Sequence, residues 1–300
     1  MKKFLLWFLS FIITVCAAYY QRKTGPTYPR IVKLEVNGKI NTLKLVRSLS
    51  TNERPEVRLA IMDTSVRAKL FYKRSKSADA YTESDFTYKI YPVHSPFLNK
   101  VFGITEEKGL FAPVPVQPVA GKLEYYFELT DSHGTRSVSK ENPVVVRFKG
   151  DVPASVLIPH ILIMFLAMFF STLAGLMGLF RLPEFKKYSV WTLVLLITGG
   201  IILGSVVQKF AFGEFWTGVP FGWDLTDNKT LIAALFWILA VVMNRKRETP
   251  LYTILAAIVL LLVFSIPHSV LGSEFNYKSG QVSQGLIFIF SLKIFKKKLN

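Results

Sequence analysis

Phe215-Trp216-Thr217-Gly218-Val219-Pro220-Phe221-Gly222-Trp223-Asp224-Leu225-Thr226-Asp227-Asn228-Lys229-Thr230 separates two hydrophobic runs, residues 190–212 and 231–243. The stretch is broken by glycine and proline, rich in aromatic side chains, and carries carboxylates, which are costly in a bilayer unless they are paired or used. The downstream run alone is too short to cross roughly 30 Å of hydrocarbon at about 1.5 Å per residue. To span, its helix must start near Leu225, which draws Asp227, Asn228 and Lys229 into the outer interface or deeper. The stretch therefore reads as the functional loop of an integral membrane protein.

Composition agrees: of 300 residues, 51% are hydrophobic, and they fall in long uncharged runs. The net charge of +17 invites a nucleic-acid reading. Much of it, however, sits in short clusters beside apolar runs: Lys2-Lys3, Arg181 with Lys186-Lys187, Arg245-Lys246-Arg247 and Lys296-Lys297-Lys298. That is the distribution of cytoplasmic loops under the positive-inside rule, and no nucleic-acid motif accompanies it. The single cysteine, Cys16, excludes an internal disulfide, a zinc knuckle, an iron–sulfur cluster and a CxxCH haem site.

Three regions follow. Residues 1–20 form a membrane anchor, with Tyr19-Tyr20 as an interfacial belt; cleavage as a signal peptide after a small-residue site is the alternative. Residues 21–152 are polar and alternating. Residues 31–36, the turn Asn37-Gly38 and residues 39–45 read as a hairpin with a type I′ turn. Further strands are expected at 56–62, 67–73, 86–91, 122–130, 135–140 and 144–148. About seven or eight short strands with turns between them suggest an all-β sandwich of the immunoglobulin or fibronectin type, with Pro113 to Pro118 as an edge or connection. Nothing in it assembles a catalytic group.

Residues 153–300 return to the membrane, with spans expected at 155–180, 190–212, 225–243 and 251–271, the last broken by Pro267, and a final crossing at 285–295. The fold class is thus an α-helical membrane bundle of about six spans, with the sandwich between the first and second. Placing the basic clusters inside puts the sandwich, the tryptophan loop and residues 274–284 on the periplasmic face of a bacterial inner membrane.

Two of the four histidines sit in an echo, Ile158-Pro159-His160 and Ile266-Pro267-His268. His160 and His268 lie at similar depth, about 30 Å and 26 Å above the cytoplasmic ends of their helices. Imidazoles from two helices can clamp haem iron, and Trp216 and Trp223 could cover a porphyrin. The plainer reading makes each Pro-His a helix end with an interfacial polar tip. His94 and His133 read as exposed loop residues. Asp224, Asp227, Lys229 and Glu274 form a second constellation, either a proton or cation relay or a loop-stabilising salt-bridge set in which Asp224 or Asp227 caps a helix. Gly200 and Gly204, and Gly175 and Gly178, are small-residue pairs that let helices approach. No GxGxxG, Walker, GxSxG or HExxH pattern occurs.

Phe221-Gly222-Trp223-Asp224, with Asp227, Lys229-Thr230 and Trp237 between helices bearing external histidines, resembles the tryptophan-rich loop of the haem-handling cytochrome c assembly proteins. The resemblance covers about thirty residues. It implies haem at the outer face, His160 and His268 as iron ligands, Trp216, Trp223 and Asp224 as the presenting loop, and a role in electron transfer or cytochrome assembly. The loop lacks that family's dense tryptophan run and its proline after Trp-Asp. Taken whole, the chain resembles a group of uncharacterised bacterial inner-membrane proteins, through Thr24-Gly25-Pro26-Thr27-Tyr28-Pro29, Gly121-Lys122-Leu123-Glu124-Tyr125-Tyr126, Asp224 to Thr230 and Ile266 to Glu274. The other open reading is a non-catalytic membrane subunit whose sandwich recruits other membrane or periplasmic proteins; the expected partners are these and membrane lipid, not nucleic acid.

Overall fold

The computed structural model describes residues 2–53, 55–93, 96–268, 272 and 274–283. The chain divides into two units, Thr27–Lys149 and Met1–Pro26 with Gly150–Asn300. The expected crossing at 285–295 and His94 lie outside the described residues.

The β unit opens on the hairpin β1 (Arg30–Val36) and β2 (Lys39–Leu45). Asn37 and Gly38 hold φ of 47° and 75°, the positive values that a type I′ turn demands. Then follow β3 (Ser48–Ser50), β4 (Glu56–Leu59), β5 (Arg67–Arg74), β6 (Thr82–Asp85), β7 (Thr87–Pro92), α2 (Pro96–Phe102), β8 (Glu106–Pro113), β9 (Lys122–Asp131), β10 (Gly134–Val138) and β11 (Val144–Lys149). One sheet runs β3-β11-β9-β5-β6 with β10 also on β9, and a three-stranded sheet runs β4-β8-β7. Alternation fixes which face is buried: on β9 Leu123, Tyr125, Phe127 and Leu129 all point inward. They join Val57 and Leu59 of β4, Leu70 of β5 and Val146 and Phe148 of β11 in one core. The buried Tyr125 hydroxyl donates to the carbonyl of Val46 at 2.9 Å, so its polar atom is satisfied there.

Every expected strand is present, with boundaries shifted by a few residues. Strands β3, β6 and β8 were not expected. The start of β8, Glu106-Glu107-Lys108-Gly109, reads as polar loop. Gly109 is nevertheless required in a strand: at φ 150°, a Cβ there would lie 2.4 Å from the carbonyl oxygen of Leu59.

In the helical unit, α1 (Lys2–Thr24) extends beyond the expected anchor end at residue 20. It is followed by α3 (Ala154–Leu179). Next, α4 (Phe185–Leu196) runs through a π-helical segment, Ile197–Leu203, into α5 (Gly204–Phe212). The unit continues with α6 (Leu225–Met243) and α7 (Pro250–Ser265), and the short hairpin β12 (Glu274–Asn276) and β13 (Gln281–Ser283). Four helices, Lys3–Thr24, Ala154–Leu179, Phe185–Phe212 and Leu225–Met243, are long and apolar enough to cross a membrane, and α7 is a shorter apolar helix. The third long helix starts at Phe185, ahead of the expected residue 190. The expected span at 251–271 stops at Ser265, because the residue before a proline is pushed out of the helical region and Ile266 is extended at ψ 120°.

Small residues set the helix spacing. A Cβ on Gly175 would lie 2.5 Å from that of Ala257, and one on Gly200 2.8 Å from Thr230 Cγ2. Trp7 of α1 packs edge-on against Tyr188 and Phe170, which seats α1 beside α3 and α4.

Candidate functional site

Asp224 begins α6 as its N-cap, its side chain accepting from the Thr226 amide at 2.8 Å. It leaves the following turn helical and lets the short run recruit residues from 225 onward, as expected. Asp227, 6% exposed, points back into the loop and accepts from the Thr217 amide at 2.6 Å and the Thr217 hydroxyl at 3.2 Å. Asn228 Oδ1 accepts from the Val219 amide at 2.8 Å. Gln208 on α5 donates to the Thr217 hydroxyl at 2.7 Å. The loop backbone thus docks on the first turn of α6. Gly218 is forced by that approach, since a Cβ there would meet Asp227 Cβ at 2.7 Å.

With its polar backbone satisfied inward, the loop turns its rings outward. Phe215, Phe221 and Trp223 are exposed, whereas Trp216 is half-buried and donates through its indole nitrogen to the Val219 carbonyl at 3.1 Å.

Lys229 reaches the end of α7. Its side chain is 2% exposed, and Nζ donates to the carbonyl of Ile266 at 2.7 Å and lies 3.2 Å from His268 Nδ1. Asp224 caps the helix as one expectation had it, and Asp227 holds the loop by hydrogen bonds rather than by a salt bridge, while Lys229 satisfies a carbonyl that the end of α7 leaves open. Glu274 sits in β12, opposite Ser283. His133 is exposed in the turn after β9.

His160, early in α3, lies against the π-helical segment, with Nδ1 2.9 Å from the Gly199 carbonyl oxygen. His160 and His268 line one cavity of about 160 Å³ together with Ala18, Gln21, Ile161, Met164, Phe165, Met168 and Phe264. The two Pro-His corners therefore do converge. Trp216, Trp223 and Asp224 do not line that cavity. Its volume is well below the about 300–1,000 Å³ typical of pockets for drug-sized ligands, so a porphyrin does not fit it. The arrangement lends no support to haem. Among the described residues no group of three or more His, Cys, Asp or Glu could hold a metal ion.

Sequence reading missed Thr217, Gln208 and Gln21, and the carbonyls of Gly199 and Ile266. The Gly199-Gly200 pair and the Pro267 break were the signals for those two carbonyls. Gln21 lies just beyond the expected anchor, where its carboxamide donates to the Phe264 carbonyl. In comparisons with known proteins, the chain matches no family model, no curated protein and no solved structure.

Proposed function

We propose that this chain is a multi-pass subunit or scaffold of a bacterial inner membrane, whose extracytoplasmic β-sandwich recruits a protein partner. The basic clusters support the orientation. Lys3 pairs with Glu184 and Lys186 with Glu248 at 3.0 Å, so the start of α1, the α3–α4 turn and the α6–α7 turn share one end of the helical unit. Under the positive-inside rule that end is cytoplasmic. The opposite end carries the tryptophan loop, the Pro-His corners and the chain leading into the β unit.

Strand order supports an immunoglobulin-like sandwich. β4-β8-β7 corresponds to a three-stranded face, and β11-β9-β5-β6 to the facing sheet, with β3 joining β11 in parallel. The observation that carries recruitment is the outer strand of the smaller sheet, β7, which among the described residues pairs on one side only, with β8. Ile90 on it is exposed, as are Val101, Phe102 and Ile104 in the β7–β8 connection. An edge strand with apolar neighbours is a template for pairing with another chain.

The test is co-purification from gently solubilised membranes. Full-length chain should bring down a partner at fixed stoichiometry. Ile90→Lys with Phe102→Glu should lose it while the protein still inserts and resists protease like wild type. Retention of the partner by the double variant, or no partner with wild type, would overturn the proposal.

A further inference from the structure

The cavity between α1, α3 and α7 has a defined hydrogen-bonding polarity. The Gly199 carbonyl can only accept, so His160 Nδ1 carries the proton and donates to it. In a neutral imidazole this leaves Nε2 as a lone-pair acceptor. The Lys229 ammonium can only donate, so His268 Nδ1 accepts and its proton resides on Nε2. Among the described residues neither Nε2 has a hydrogen-bond partner. Both histidines line the cavity, so the ring nitrogen each has left for a guest is an acceptor on His160 and a donor on His268, and that donor is strengthened by the ammonium on the far side of the same ring.

The rest of the lining is Ile161, Met164, Phe165, Met168, Phe264 and Ala18, with Gln21 at the edge. Thioethers and phenyl rings favour a flat aromatic guest. A volume of about 160 Å³ matches one six-membered ring, since an apolar cavity of about 150 Å³ takes up benzene. The walls come from three apolar helices, so a guest entering from lipid can leave its tail outside.

We infer that this cavity binds the head group of a lipid-soluble hydroquinone. One ring hydroxyl donates to His160 Nε2, and an oxygen across the ring accepts from His268 Nε2–H. The site is independent of the recruitment surface on the β unit.

The test uses the full-length chain in lipid nanodiscs, titrated with 2-decylhydroquinone, its 1,4-dimethyl ether and decanoic acid. Saturable binding of the hydroquinone at one per chain is expected, with the ether weaker by roughly tenfold or more for the hydroxyl it cannot donate. His160→Phe and His268→Phe should each weaken binding by a similar factor, and Met164→Trp, which fills the cavity, should abolish it. Because such variants can misfold, nitrogen resonances of ¹⁵N-histidine-labelled wild type give a second reading. One cavity histidine should be the Nδ1–H tautomer and the other Nε2–H, and both Nε2 signals should move on adding the hydroquinone. Equal binding of hydroquinone and ether, tighter binding of decanoic acid, no saturable binding, or unmoved Nε2 signals would each overturn the inference.

Discussion

The β unit and the helical unit, whose four long apolar helices could each cross a membrane, have cores of different kinds. The β core is built from Leu43, Leu59, Leu70, Leu123, Tyr125, Phe127 and Phe148, large side chains withdrawn from water. The helical core is mostly alanine, at 167, 174, 233, 234, 240, 256 and 257, around Trp237. It also buries Ser171, Ser189, Thr192, Asn244 and Thr253. In water, burying large apolar surface drives folding. In lipid that drive is absent between helices, so close backbone approach and interhelical hydrogen bonds take its place. The Asn244 side chain donates to the Ala240 carbonyl and to Thr253, closing the α6–α7 turn by that second route.

The contrast breaks most visibly at Phe127. Phe127→Ala should destabilise the β unit by about 3–5 kcal/mol, read as a shift in its urea midpoint with the helical unit unchanged. If the two units unfold together, their separation into two cores fails.

Next in size is Asp227→Ala, which leaves the Thr217 amide without its charged acceptor. A loss of about 1.5–3 kcal/mol is expected, seen as faster proteolysis within 213–224. Unchanged cleavage would mean that the loop is held by its aromatic side chains instead.

Gly175→Ala sharpens the lipid side of the comparison. The added methyl meets Ala257 Cβ at 2.5 Å and should cost about 1–3 kcal/mol, read by thermal unfolding in detergent. Ala257→Gly should restore most of it. No rescue would show that α3 and α7 are not spaced by this contact.

The smallest effect is a pH dependence confined to the β unit. Burial, and then the Glu124 carboxylate that accepts from its hydroxyl at 3.2 Å, push the Tyr81 phenol up from 10.0 to about 12. The folded state holds this proton more tightly than the unfolded chain. The contribution is therefore complete below pH 10 and is lost as pH rises through 12. Tyr81→Phe should flatten that alkaline limb of the stability curve. An identical limb in the variant would assign it to another group.

Much of this was legible in sequence because it rests on local chemistry. The Asn37-Gly38 turn, the alternation of β9, the Asp224 cap and the length deficit that pulls α6 back to Leu225 each follow from residues close together in the chain. The similar depth of His160 and His268 was also expected, since it can be counted along two helices; that both line one cavity is non-local. What escaped is non-local. β8 is recognisable only once β4 is beside it, the direction of Lys229 is set by where α7 stops, and the cavity's size is set by Gln21 and methionines that carry no pattern. Trp223 is exposed while Asp227 and Asn228 hold the loop backbone on the first turn of α6, a contact no spacing announces.

Orientation underlies the whole account and can be read directly. In a Cys16→Ser background, Ser132→Cys reports the β unit and Lys246→Cys reports the α6–α7 turn. A membrane-impermeant maleimide added to intact bacterial spheroplasts should label Ser132→Cys at once and Lys246→Cys only after permeabilisation. Labelling of Lys246→Cys in intact spheroplasts, with Ser132→Cys protected, would contradict it.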